Sequence, residues 1–360
     1  MIRKKIAVIF TGGTIGSVIG PDGYIAPDQQ SPYALLDRYS RIEPEVYRSM
    51  DFDCSMPYQI LSENLDDKYL LMLIAAVGDA LRQEKYAAVI VCHGTDTLQY
   101  SAAALGLLYA EEKVPIYLIS SNYPLEDERA NGLANFRAAV HDLVHGHTGV
   151  LVPYRNSDGN TYLHRGTYLL AHRSFNDELY SMHDDYLGFW DREGNWQESD
   201  KCCSSSDAAA EGMQARVEDP IWKGLMEPDD VLPKLREWIR TNSIRNLAGQ
   251  LWAASQGKPN QIQWIQMYPG YVCMEPEVDV KYIMLETYHS GTLCVNEGLR
   301  AYVEAARKRG IPVYIVGMDS TTGGYETVRE YQALDVICVT GVPPITFYCY
   351  LWLCGLLDGI

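Results

Sequence analysis

The 360-residue chain is short of positive charge: 30 lysines and arginines face 47 aspartates and glutamates, a formal net charge of −17. So acidic a chain argues against gripping nucleic-acid phosphates or anionic lipid along a basic face. Small substrates stay open, because a local pocket can oppose the global charge. Long apolar runs are missing as well. The strongest, Ile345 to Leu357, falls short of the roughly 20 residues of a membrane span and contains Thr346, so it reads as a buried terminal helix. Paired cysteines are absent: nine are scattered without any Cys-x-x-Cys. That distribution suits reduced thiols in a cytoplasmic protein better than a disulfide framework or a zinc site. Finally, no lysine occurs between Lys113 and Lys201.

What is present is alternation. The β-branched run Ile6-Ala7-Val8-Ile9-Phe10 is too short for a helix and reads as a strand buried on both faces. It breaks at Thr11-Gly12-Gly13 with no small-residue cleavage site after it, so a first strand is expected and not a signal peptide. Strand-like "AAVIVCHG", "PIYLIS" and "GVLVPY" then alternate with helical "DDKYLLMLIAAVGDALRQ", "DTLQYSAAALGLLYAEE" and "LANFRAAVHDLVHG". The pattern predicts an α/β protein with a mostly parallel sheet flanked by helices. From Trp190 to about Ala209 the composition turns polar and aperiodic, a linker or loop, and the α/β rhythm resumes after a helical segment at "DDVLPKLREWIRTN". We expect a larger N-terminal domain (1–190), a linker or insertion (191–255) and a smaller C-terminal parallel-sheet domain (256–360).

Two stretches carry chemistry. Thr11-Gly12-Gly13-Thr14-Ile15-Gly16 follows the first strand, yet it fits neither a dinucleotide-binding nor a P-loop pattern, and no lysine stands nearby to hold a phosphate. What remains is a threonine at the carboxyl end of a sheet strand, where open α/β sheets place ligands. Taken alone, the stretch reads better as a turn whose hydroxyls satisfy backbone groups. His93-Gly94-Thr95-Asp96-Thr97 closes another strand in an equivalent position. Two strand ends delivering Thr14 and Thr95-Asp96 to one crevice make a site, because a threonine hydroxyl needs a partner before it is a nucleophile. Asp96 also reads as a helix cap. His141 and His145, four apart with His147 beyond, have zinc-like spacing but no general-base glutamate; surface histidines are the expectation, with no metal. The 26 tyrosines show no spacing that marks a base-stacking platform.

These two motifs, with their separation and strand placement, resemble the signatures of the bacterial-type L-asparaginases, more closely the cytoplasmic branch. The likeness runs along most of the chain and weakens after residue 150. It implies two α/β domains, no cofactor and a cytoplasmic homodimer or homotetramer with active sites shared between subunits. It implies hydrolysis of the side-chain amide of L-asparagine through a threonine acyl-enzyme. Thr14 would be the nucleophile, Tyr24 the tyrosine of a flexible lid, and Thr95 and Asp96 the second threonine and its aspartate. Ser62 and Glu63, in "LSENLDD", would hold the substrate's carboxylate and ammonium. Backbone amides near Thr14 and Thr95 would form the oxyanion hole.

The family's catalytic lysine has no counterpart here. In "YLHRGTYLLAHRSFNDELYS" the nearest replacements are His172 and Arg173, with Arg165 further off. A histidine can act as a base near neutrality, whereas an arginine stays charged and only orients. His289 and Ser290, in "ETYHSGT", match a loop that in the family reaches the neighbouring subunit's site, although a plain turn explains them as well. Three alternatives accompany the main reading. One is hydrolysis of glutamine or another small amide. Another is an ammonia-releasing amidotransferase component, disfavoured because such chains normally carry an additional N-terminal domain. The third is an amino-acid sensor that kept the pocket without catalysis.

Overall fold

The structure, a computed structural model, describes residues 3–27, 31–200, 231–241, 261–319, 325–331, 333–334 and 336–357. The segment "KCCSSSDAAA" of the expected linker lies outside them. Two compact units emerge: residues 1–212 with 235–252, and 213–234 with 253–360.

In the first unit the strands are β1 (Lys4–Phe10), β2 (Ser17–Ile19), β3 (Ile25–Pro27), β4 (Met50–Ser55), β5 (Ala88–Cys92), β6 (Ile116–Ile119), β7 (Val150–Arg155), β8 (Thr161–Arg165), β9 (Tyr186–Trp190) and β10 (Trp196–Glu198). Eight of them form one sheet in the order β10-β9-β8-β7-β6-β5-β1-β4, and β2 with β3 makes a separate hairpin. Pairing is parallel from β4 through β7 and antiparallel from β7 to β10. Residues of the expected polar linker therefore join the sheet: β10 pairs with β9 across the turn at Asp191–Asn195, whose amides are tied to Asp191.

Burial explains the strand composition. Ile6, Val8 and all of Ala88–Cys92 are fully buried, as a parallel strand covered on both faces requires. Helices α1 (Ser31–Ile42), α2 (Pro44–Arg48), α3 (Asp67–Arg82), α4 (Leu98–Tyr109) and α5 (Gly132–Asp142) supply the cover. Tyr39 of α1 meets Phe136 of α5 edge-to-face at 5.0 Å between ring centroids, over Ile6, Val8 and Ile90. The hydrophobic spacing of α3 starts at an Asp66 cap whose carboxylate accepts the Tyr69 amide at 2.9 Å. Arg236, in the helix Val231–Thr241, donates to the Leu107 carbonyl and pairs with Glu111 at the end of α4.

The second unit holds a four-stranded parallel sheet, β11 (Ile262–Gln266), β12 (Tyr282–Glu286), β13 (Val313–Met318) and β14 (Ile337–Thr340), in chain order. The helix Glu297–Lys308 presents Leu299, Tyr302, Val303 and Ala306 to it. Pro344–Leu357 is a helix, with Ile345, Phe347, Leu351 and Leu353 buried. Among the described residues, no helix is long and apolar enough to cross a membrane.

Candidate active site

The site is built from backbone before side chains. β1 is followed by Thr11, whose hydroxyl donates to the Cys92 carbonyl at the end of β5 at 2.9 Å. The chain then turns through Gly12 and Gly13, with φ of 108° and 73°. Both values lie where side chains are strained, and space excludes a side chain as well. A Cβ on Gly12 would stand 2.1 Å from the Ile60 carbonyl oxygen, and one on Gly13 would stand 2.2 Å from the Cα of Gly94. The two motif turns thus touch backbone to backbone. Thr14 opens a single 3-10 turn, Thr14–Gly16, immediately beyond.

The segment after β4 closes around this contact, Ile60 forming an isolated parallel bridge with Gly12. The Gly13 amide donates to the Ile60 carbonyl at 2.8 Å, carrying the chain to Ser62 in the turn Ser62–Asn64. Ser62 is buried against Gly94, and its hydroxyl donates to Asp96 Oδ2 at 3.2 Å. Thr97 Oγ1 donates to the Ser62 carbonyl at 2.9 Å. Asp96 is therefore not the cap of α4: the N-cap position is Thr97, and the Asp96 carboxylate faces Ser62. Behind it, buried His93 bonds the Gly94 carbonyl through Nδ1 at 2.8 Å and Ser101 Oγ through Nε2 at 2.9 Å. A carbonyl only accepts, so Nδ1 carries the proton and Nε2 accepts from Ser101. Burial holds the ring neutral by pushing its pKa down.

The threonines now divide. Thr11 and Thr97 spend their hydroxyls on main-chain carbonyls. Thr14 and Thr95 are half-buried, and among the described residues neither hydroxyl has a partner. Motif letters that look equivalent in sequence serve opposite purposes.

The remaining candidates are placed as follows. Tyr24 sits at 75% exposure in the β2–β3 hairpin, and Glu63 is exposed beside Ser62. Exposed Arg173 lies over the Tyr180 ring, 5.4 Å from its centroid, and Arg165 pairs with Asp185 at 2.8 Å. His172 is half-buried with its Nε2 enclosed and unpartnered. Burial lowers its pKa, opposed by a hydrogen bond to the Glu178 backbone and by the charges of Asp96 and Asp177. It is thus within electrostatic reach of Asp96. Sequence reading passed over His164, in β8: it is fully enclosed, its Nδ1 shares a hydrogen bond with Ser181 Oγ at 2.8 Å, and its pKa is lowered to about 3 by burial and by His172. Its only sequence signal is an alternating position in "TYLHR". A cavity of about 430 Å³ next to His164, Tyr162 and Tyr186 is lined by none of Thr14, Ser62, Thr95 or Asp96.

In the second unit, the Ser290 hydroxyl bonds Thr292 Oγ1 at 3.0 Å within its own turn. His141 is bonded to Glu43 and His147 to Asp142, while the His145 ring lies tilted against Trp196. No three His, Cys, Asp or Glu side chains among the described residues are grouped to hold a metal.

The arrangement defines a class: an α/β protein that presents unpaired threonine hydroxyls and a carboxylate where parallel strand ends meet. Comparison with known proteins makes it particular. The family model described as "Asparaginase, N-terminal" matches residues 5–197, more than half of the chain, and the chain belongs to that family. Among curated proteins it is similar to the D subunit of glutamyl-tRNA(Gln) amidotransferase from Methanobrevibacter smithii, 30% identical over 169 residues covering 46% of this chain and 37% of that protein. The same amidotransferase component from Methanosarcina acetivorans is 35% identical over 167 residues, 45% of this chain and 38% of the other. The chain thus spans about two fifths of the length of these relatives. Of solved structures, L-asparaginase I from Vibrio cholerae superposes with a TM-score of 0.66 at 21% identity over 99% of this chain and 94% of that one. The thermostable L-asparaginase from Thermococcus kodakarensis gives 0.63 at 19%, over 99% and 95%. At these identities the likeness is one of fold.

Proposed function

We propose that this protein is an amidohydrolase that cleaves the side-chain amide of a small amino acid, L-asparagine in the first instance, through a threonine acyl-enzyme. The observation that carries the reading is the division of the threonines: Thr14 and Thr95 are unpaired beside an Asp96–Ser62 pair, while their motif neighbours are tied down. Thr14 Oγ1 attacks the amide carbon, and its proton passes through a base to the departing nitrogen, which leaves as ammonia. Water then hydrolyses the ester to the free carboxylate. Turn amides at Thr14 and Thr95 take the oxyanion charge. Ser62 receives the substrate's α-carboxylate, Asp96 and Glu63 its ammonium, and Tyr24 closes over it.

His172 takes the place of the family's lysine. A neutral imidazole with a free, enclosed Nε2 suits a base acting on Thr95, whereas Arg173 is committed to the Tyr180 face. A homo-oligomer with shared sites, in the cytoplasm, completes the reading. The amidotransferase relatives favour a second one, in which the ammonia feeds a transamidation partner.

Ammonia release from asparagine and from glutamine tests both, on the wild type and on Thr14→Ala, Thr95→Ala and His172→Ala. Turnover of asparagine lost in the first two variants is expected. Aspartate binding without any turnover overturns the enzyme in favour of a sensor, and activity surviving Thr14→Ala removes the nucleophile.

A further inference from the structure

Away from the threonines, three arginines from separate elements converge on a small cavity of about 100 Å³, together with His141 and Thr161. In a chain of net charge −17 such convergence requires construction. Arg137 lies on α5, one turn from His141. Arg155 is the last residue of β7, its amide donating to Asn135 Oδ1 at 2.8 Å and its carbonyl accepting from Asn131 Nδ2 at 3.0 Å. Arg192 sits in the β9–β10 turn, and its Nε donates to the Asp158 carbonyl at 2.6 Å.

Two glycines shape the walls. Gly159 has φ of 86°, and a Cβ there would come within 3.0 Å of Arg192 Nε, so its absence lets the guanidinium lie against the β7–β8 turn. Gly194, also at 86°, leaves the space beside the Arg137 guanidinium open, the nearest nitrogen being 3.9 Å from a would-be Cβ. The neighbouring carboxylates are already engaged. Glu43 accepts from Arg137, His141 and Tyr39. Asp191, which lines the cavity, accepts from the Asn195 amide and side chain and from Gln197, which keep its pKa low. The Arg155 guanidinium has no partner among the described residues.

From this geometry we infer a binding site for one small tetrahedral oxyanion: inorganic phosphate, or the phosphate group of a small monoester. Guanidinium forks match such oxygens, two at a time. The volume is well below the roughly 300 Å³ at which drug-sized ligand pockets begin, so a nucleotide does not fit. A polyanion is disfavoured by the chain's charge. None of the lining residues belongs to the threonine site, and the inference is independent of the proposed reaction.

Calorimetric titration with inorganic phosphate and, separately, with glycerol phosphate tests it, at constant ionic strength so that screening does not vary. Arg155→Gln is the diagnostic variant because its guanidinium makes no hydrogen bond or ion pair among the described residues; Arg307→Gln, on the helix of the second unit, removes the same charge elsewhere. We expect saturable one-to-one binding, weakened about tenfold or more by Arg155→Gln, partly restored in Arg155→Lys and unchanged in Arg307→Gln. Tighter phosphate than ester assigns the free ion, and the reverse assigns the monoester. Absence of saturable binding of either, or equal weakening by both glutamine variants, overturns the site.

Discussion

Both units follow a parallel strand with a threonine that leans on the neighbouring strand, and they then diverge. In the first, the Thr11 amide and hydroxyl both donate to the Cys92 carbonyl, at 3.0 and 2.9 Å. In the second, the Thr287 amide donates to the Val316 carbonyl at 3.0 Å and its hydroxyl to that of Gly317 at 2.9 Å. Beyond Thr11 the chain meets a second strand end at Gly94 and presents Thr14 unpaired. Beyond Thr287 it closes on itself, with the Tyr288 amide on the Thr292 carbonyl and Ser290 on Thr292. A hydroxyl at a strand's carboxyl end is therefore not a site. The unpaired hydroxyl beside a second strand end is what singles out Thr14 as a candidate.

The sharpest way to break that contrast is to delete the hydroxyls. Thr14→Ala is expected to reduce ammonia release about 10³-fold or more, roughly 4 kcal/mol of transition-state stabilisation. Ser290→Ala should leave the rate within about threefold; a comparable loss in both would erase the distinction. Next come the glycines that share a φ of 73°, Gly13 and Gly291. Gly13→Ala drives a Cβ to 2.2 Å from Gly94, whereas at Gly291 the nearest atom is 3.6 Å away. Chemical unfolding should show about 3 kcal/mol or more lost in the first and about 1–2 kcal/mol in the second.

A third test concerns pH. His164 has a folded pKa of about 3 against an ordinary 6.5, so the unfolded chain takes up the proton first. Its contribution is complete above about pH 6.5 and is lost as pH falls towards 3, at about 1.4 kcal/mol per pH unit. Between pH 7 and pH 5 the wild type should lose about 2 kcal/mol more than His164→Gln does, read from urea midpoints. Equal losses would place the titration elsewhere. The smallest effect is expected for Thr11→Val and Thr287→Val, about 1 kcal/mol each for one hydrogen bond. Near-equal values would show that these two threonines do the same structural work.

Much of this architecture was legible from local pattern. Ile6–Phe10 and Ala88–Cys92 are strands because nothing but a sheet buried on both faces suits such runs, and α3 is readable from Asp66 onward. The antiparallel extension was not. Thr161–Arg165, Tyr186–Trp190 and Trp196–Glu198 mix tyrosine, charge and glycine, and only pairing with one another makes them strands. Within the candidate site, the motifs point to Thr14 and Thr95 but do not tell which hydroxyls are free. That depends on carbonyls of Cys92 and Ser62, 81 and 35 residues away from their donors. Asp96 could pass for a cap in sequence because its alternative partner, Ser62, lies 34 residues upstream.

The contact of Gly13 with Gly94 has a consequence for how this protein can change. Neither turn can be grafted, lengthened or randomised alone, since each is the other's wall. Libraries selected only for folding should return glycine at 12, 13 and 94 while admitting many residues at 14 and 95. Libraries selected for turnover should also restore the threonines. On the proposed reaction, folding and chemistry are written in alternate letters of the same short words, so the two can be lost, and recovered, separately.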